Sequence, residues 1–253
     1  MVRMDFHIHS SYSDDSSLTV GEIVEFALQR RLQAVGIVDH VRMTAPWLAE
    51  REAEIRTLRA RLGRRIDIFS GLEAKVLDSE GALNLSRGAA GSVDFVVGSI
   101  HGLPPNVLKG LQKSGPASLI GWWQDVISSL AQKEEVRVLG HPDRLLLDYE
   151  IRVPADTLAD LTRVILSSHA FVEMNLPKAY ATQPLLTTLI KTGARNIIFA
   201  SDAHDMKGLR SAHEDVSAVC NRAVYAGNRR LRTVLAGKTS KKKHDPTIST
   251  SGP

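Results

Sequence analysis

Cysteine is nearly absent. The one thiol, Cys220, excludes an internal disulfide framework and fits a reducing, cytoplasmic setting. It lies in HEDVSAVCNRAV, where Val216, Val219, Cys220 and Ala223 recur at helical spacing, so a small buried hydrophobe is expected there rather than a nucleophile. Long apolar runs are missing too. None approaches the ~20 residues of a membrane span, so no membrane partner is expected. A cleaved leader is not expected either, because cleavage would discard His7 and His9. No glycine-rich G-x-G-x-x-G turn follows the first β-like run, which counts against dinucleotide binding. Net charge is also scarce once its location is considered. The formal +4 goes with the C-terminal stretch KTSKKKHDPTISTSGP, in which Lys238, Lys241, Lys242 and Lys243 face only Asp245. The rest of the chain is close to neutral, so nucleic acid is not favoured as a partner.

What is present is a steady alternation of short β-rich runs with longer helical patterns. Runs at 3–9, 34–40, 66–73, 93–101, 136–141, 171–175 and 196–202 read as seven strands, several of them almost wholly apolar, as in a parallel sheet covered on both faces. TVGEIVEFALQRR reads as a helix with Val20, Ile23, Val24, Ala27 and Leu28 on one face, and Thr19 and Glu22 have the spacing of a capping box. WLAEREAEIRTLRARL is strongly charged and is expected on the outer surface. PASLIGWWQDVISSLAQ, PADTLADLTRVILSSH and PLLTTLIKTG complete the alternation, with a last helix over about 211–226 and a short helix or loop within 78–92. With 253 residues and 43% hydrophobic content, one large core is expected: a single α/β domain over 1–237 and a solvated, disordered basic tail over 238–253.

Titratable side chains crowd the ends of the strands. His7 and His9 stand two apart on the first, which turns both to one face. His40 ends the second strand, Glu73 the third, His101 the fourth and His141 the fifth. Asp202 ends the seventh with His204 two residues on, and the sixth closes in EMN. On an open sheet these ends would be strung out at about 4.8 Å per strand. A closed parallel barrel gathers them on one rim, and is the better reading. Imidazoles mixed with carboxylates suit zinc, manganese or iron rather than lone magnesium or calcium. Six histidines with two or more carboxylates exceed the needs of one tetrahedral ion, so two or three divalent ions are expected. Such a cluster lowers the pKa of a bridging water and clamps the oxygens of an in-line displacement. His169 at a helix C-terminus, His213 near the last helix and His244 in the tail read as non-ligands.

In this order and spacing, FHIHSSYSDDS, GIVDH, GLE, GSIH, GHPD and SDAH resemble the polymerase and histidinol phosphatase (PHP) family, from residue 5 to about 210. The resemblance implies a distorted, TIM-like (β/α)7 barrel, a trinuclear metal site and phosphoesterase activity. It implies that His7 and His9 ligate one ion with Glu73 and Asp202, Glu73 bridging two ions. His101 and His141 would serve the second ion, and Asp14, His40 and His204 the third. Asp14 stands at the SD position of the family's S-D-G and Asp15 where glycine is common, so Asp14 is the expected ligand, with a one-residue shift open. Asp39, beside His40, is expected to orient an imidazole. The chain departs from the family in reading DHV for D-H-G and LPKAY after EMN, where members carry small residues and an arginine. Arg42, Arg144 and Lys178 are therefore the candidate phosphate-binding cations.

The function expected is hydrolysis of a phosphomonoester of a small metabolite by a metal-bridging hydroxide. Glu73 bridges the ions, and Asp202 or His204 assists proton transfer. A nucleotide phosphatase or exonuclease acting on nucleic-acid ends would use the same site, with the basic tail assisting. An amidohydrolase-type C–N hydrolase shares H-x-H and a late aspartate, but it bridges its metals with a mid-barrel lysine, where this chain has Glu73.

Overall fold

The computed structural model describes residues 3–175, 183–219 and 222–243. Seven strands run parallel and neighbour one another in sequence order: β1 (Met4–Ile8), β2 (Ala34–Val41), β3 (Asp67–Lys75), β4 (Phe95–Ser99), β5 (Val136–Gly140), β6 (Phe171–Asn175) and β7 (Ile197–Ala200). Around them lie α1 (Val20–Gln29), α2 (Leu48–Leu62), α3 (Arg87–Ser92), α4 (Pro105–Ser114), α5 (Pro116–Gln132), α6 (Arg144–Asp148), α7 (Ala155–Ser167), α8 (Pro184–Lys191), α9 (Met206–Val219) and α10 (Arg222–Lys243). Each of the seven runs read as a strand forms one. The capping box of α1 is present, with Glu22 N–H donating to Thr19 Oγ1 at 3.2 Å and Thr19 N–H to Glu22 Oε2 at 2.8 Å.

The barrel closes at one rim only. Asp202 N–H donates to the His7 carbonyl at 2.9 Å and His9 N–H to that of Ala203 at 3.0 Å, joining the C-terminal end of β7 to β1. Lower in the seam the buried N–H groups of β7 and of Ser201 just after it turn to side chains instead. Ser201 N–H donates to Asp5 Oδ1 at 3.0 Å and Phe199 N–H to Asn228 Oδ1 at 2.9 Å. Asn228 belongs to α10, which passes so close that a Cβ on Gly227 would overlap the Ile197 carbonyl; only glycine fits.

The barrel interior has two layers. The lower one is apolar: Phe6, Val38, Phe69, Val97, Val138, Phe171 and Ile198 pack together, and Leu231 and Leu235 of α10 close it from below. Each such side chain contributes about 1.5–3 kcal/mol by burial. The upper layer is built of charge. In β1 three residues from Asp5 to Ile8 span what two span in β2, and this bulge turns His7 and His9 inward above Phe6.

Three elements differ from the sequence reading. α4 and α6 were not expected, and the described helical residues of this last region, α9 and α10, extend at both ends beyond the 211–226 expected. The latter runs to Lys243, past the expected domain end at 237, while 244–253, with His244, lie outside the described residues, as do Cys220 and Lys178. Among the described residues no helix is long and apolar enough to cross a membrane.

Candidate metal centre

β3 is paired on both sides, and its Glu73 is carried into the middle of the upper layer, where imidazoles from four other strand ends meet it. Oε1 lies 2.9 Å from His101 Nε2 and 3.0 Å from His141 Nε2. Oε2 lies 2.9 Å from His40 Nδ1, 3.4 Å from His9 Nε2 and 3.7 Å from His7 Nε2. The Nε2 atoms of His7 and His9 are 2.9 Å apart, and Asp202 Oδ1 is 3.2 Å from that of His9. Three sets of ligand atoms fall within 4.8 Å of one another: His7, His9, Glu73 and Asp202; His40, Glu73 and His101; and His9, Asp15, His40 and His204.

These residues fit metal ions. Glu73 Oε2 and His141 Nδ1 are buried without a hydrogen bond of acceptable geometry, although Oε2 has His40 Nδ1 at 2.9 Å. Elsewhere in a protein interior such polar atoms are paired. Cations held between the imidazole nitrogens and carboxylate oxygens would satisfy them, and the mixed nitrogen and oxygen set is one that transition ions favour.

Without ions the cluster holds its charge by mutual pairing. Burial alone would lower the pKa of His7, but the carboxylates of Glu173 and Glu73 outweigh it and hold that imidazole well above its ordinary value. His40 and His141 are likewise raised, Glu73 overcoming their burial. His9 goes the other way: burial, with His7 and His204 nearby, brings it down to about 4 despite its bond to Asp202. Burial would raise the two carboxylates, yet the surrounding histidines push Glu73 and Asp202 well below the usual range.

Further groups fix the ligands from behind. His7 Nδ1 donates to Glu173 Oε1 at 2.7 Å, and Glu173 Oε2 accepts the backbone N–H of His141 at 3.0 Å. His9 Nδ1 donates to Ser13 Oγ at 3.0 Å, and Ser13 Oγ donates to Asp39 Oδ1 at 2.8 Å. Asp39 thus acts on His9 through Ser13 rather than on an imidazole directly. It is braced in turn by Ser10 and by the fully buried Arg51, whose Nη1 is 2.9 Å from Oδ2. His141 and Asp202 hold left-handed backbone angles, φ 29° and 53°, rare for residues with a Cβ and pinned here by hydrogen bonds from their own N–H groups. In GHPD, the buried Asp143 accepts the N–H groups of Leu185 and Leu186 at 3.1 and 3.0 Å and so anchors the start of α8; burial pushes its pKa up to about 6 against those donors.

Of the two adjacent aspartates, the carboxylate that meets His40 and His204 is Asp15. Its Oδ2 lies 3.2 and 3.3 Å from their Nε2 atoms. Asp14, expected at that place, points outward and pairs with Arg42 at 2.5 Å, both largely exposed. The turn after β1 decides this, and the spacing of S-D-D does not encode it. Above the cluster opens a cleft of about 1150 Å³. Arg42 and Arg144 line it, Arg144 Nη1 standing 3.6 Å from Asp202 Oδ2. Lys75, Asn84 and Tyr149 also line it and were not singled out from the sequence. His169 bonds the carbonyls of Lys133 and Val136, and His213 bonds Asp5 Oδ2 at 3.0 Å, both away from the cluster.

Residues 5–176 match the family model described as PHP domain. A curated relative from Caldicellulosiruptor saccharolyticus, named a probable phosphatase, is 23% identical over 209 residues, covering 80% of each chain. Among solved structures, the histidinol phosphate phosphatase of Lactococcus lactis subsp. lactis, crystallised with zinc, L-histidinol and phosphate, superposes with a TM-score of 0.61 at 19% identity. The match covers 84% of this chain and 93% of that one.

Proposed function

The chain belongs to the PHP domain family, and from that premise we propose that it is a metal-dependent phosphoesterase removing phosphate from a small phosphorylated metabolite. The observation that carries the reading is the convergence of five imidazoles on the one buried carboxylate of Glu73. In it, His7, His9, Glu73 and Asp202 would hold one ion, Glu73 with His101 and His141, both against its Oε1, a second, and Asp15, His40 and His204 a third, drawn from zinc, manganese and iron. When bound, these ions supply Lewis acidity, lowering the pKa of a coordinated water and offsetting charge on phosphoryl oxygens.

The chain's own residues do the rest. Glu173 and Ser13 take the Nδ1 protons of His7 and His9, so both Nε2 lone pairs face inward. His204 Nδ1 donates to the Asp202 carbonyl at 2.9 Å, which leaves its Nε2 for ligation and removes it from proton transfer. That duty falls to Asp202, whose Oδ2 accepts from Asn175 at 3.1 Å where the cluster meets the cleft. Arg144, beside the same oxygen, is placed to hold a phosphate, and Arg42 stands further out.

Elemental analysis and a panel of phosphomonoesters, on the wild type and on His9→Ala, test this. The expected result is phosphate release with two or three ions per wild-type chain, and a joint loss of ions and turnover in the variant. A fully metal-loaded wild type that releases no phosphate from any ester would sink the reading.

A further inference from the structure

The end of the barrel opposite the metal cluster carries a concentration of positive charge. α10 seals that end with Leu231 and Leu235 turned inward, and its residues 222–238 include five Lys and Arg and no Asp or Glu. The turns that lead into β2 and β3 add Arg31, Arg64 and Arg65 beside it, all exposed. Two grooves meet there and share Gln33 and Arg232, one of about 590 Å³ lined by Tyr225 and Arg229, the other of about 480 Å³ lined by the three turn arginines. Across both, five arginines face one carboxylate, Asp67, which Arg232 Nε engages at 2.6 Å. Among the described residues the other four guanidiniums have no carboxylate partner. Like charges gathered in this way repel one another, and an anionic ligand relieves the repulsion.

Three features narrow the ligand. The apolar side chains Val224, Leu231 and Leu235 of α10 are buried in the fold. A helix lying in a membrane surface needs such a face free. Guanidiniums match phosphate oxygens as planar forks, which suits a phosphodiester backbone. Tyr225 is 54% exposed, with Arg229 Cζ 5.9 Å from its ring centroid, so an aromatic face lies open within the basic groove. Unpaired bases stack on such faces. We infer that this basal surface binds single-stranded nucleic acid, the arginines holding phosphates and Tyr225 stacking a base. The inference is independent of the phosphoesterase reading, because the surface lies at the far end of the barrel from Glu73.

Fluorescence anisotropy tests it, using the full chain and a labelled oligothymidine without terminal phosphates. If four arginines each neutralise one phosphate, affinity falls roughly 50-fold between about 50 and 200 mM salt, a slope near −0.7 per contact. Arg64→Gln with Arg229→Gln should halve that slope and weaken binding at least about tenfold at low salt. Tyr225→Ala should weaken binding to the single strand and leave the slope and the affinity for duplex unchanged. All variants should keep the wild-type melting temperature, metal content and esterase rate. Absence of binding at low salt, or an unchanged slope in the double variant, overturns the inference. So does capture by phosphatidylserine vesicles in place of the oligonucleotide, and equal affinity for duplex with no effect of Tyr225→Ala overturns the single-strand assignment.

Discussion

Glu173 Oε1 lies 2.7 Å from Nδ1 of His7, with both side chains fully buried. The contact fixes the ring so that Nε2 faces Glu73 and Asp202, and it sets the tautomer once that nitrogen has given up its proton to ligate. The same carboxylate accepts the N–H of His141, whose backbone is left-handed, so one side chain steadies ligands from two strands. Glu173→Gln keeps the shape but removes the charge that His7 faces. Metal affinity should fall about 10- to 100-fold, read by competition with a chromogenic chelator. An unchanged affinity would remove Glu173 from the support of the cluster.

Asp14 and Asp15 offer a sharper comparison, since they are neighbours of identical chemistry. Asp15 alone meets two imidazoles. Asp14 meets a solvent-exposed arginine, a pairing worth about 0–1 kcal/mol. Asp15→Asn should lose one ion per chain and at least about tenfold in kcat/KM, as removal of a ligand or its support does. Asp14→Asn should stay within about twofold of wild type in both, as surface changes do. Equal losses in the two variants would show that the turn after β1 rearranges when metal binds.

Metal uptake should release protons. In the ion-free protein His7, held above its ordinary pKa by Glu173 and Glu73, is an imidazolium at neutral pH, and His40 and His141 are shifted the same way. Each must give up its proton to ligate. Affinity therefore rises with pH until these groups are already neutral in the ion-free state, and falls as pH drops through their raised values. His9, brought down to about 4, is already neutral at neutral pH and gives up no proton there. Calorimetric titration in buffers of different ionisation enthalpy counts the protons directly, and a count of zero at neutral pH would contradict these shifts.

The barrel and most of the cluster were legible because two signals coincide in the sequence: apolar runs of strand length, and a histidine or carboxylate where every run but the sixth stops. Glu173 escaped notice since it sits within an apolar strand rather than at its end. It shares the inward face of Phe171 two residues before, and a carboxylate on that face was a usable clue. Arg51 was hidden differently. In a helix as charged as α2 it reads as one more solvated cation, yet it is fully buried between Asp39, Glu52 and Ser70, with Trp47 against its guanidinium 5.0 Å away. Only the fold brings those partners together. The choice between Asp14 and Asp15 rests on a turn whose path composition does not specify.

Only the end of α10, from Lys238 on, reads as a solvated tail because of its charge, and the helix expected over about 211–226 stops short of Leu231 and Leu235. Val224, Leu231 and Leu235 nevertheless recur at spacings that place them on one helical face, and all three are buried. Leu231 and Leu235 complete the apolar layer beneath the metal cluster, so the helix acts as the floor of the barrel. Truncating either to alanine removes buried methyl groups and leaves a cavity among Phe6, Phe69 and Phe171, at a cost of about 2–5 kcal/mol. Urea unfolding of the ion-free variants should show a lower midpoint with an unchanged slope, and kcat at low temperature should stay near wild type because no ligand of the cluster is touched. A midpoint within error of wild type for both variants would mean that 222–243 is an appendage rather than part of the domain.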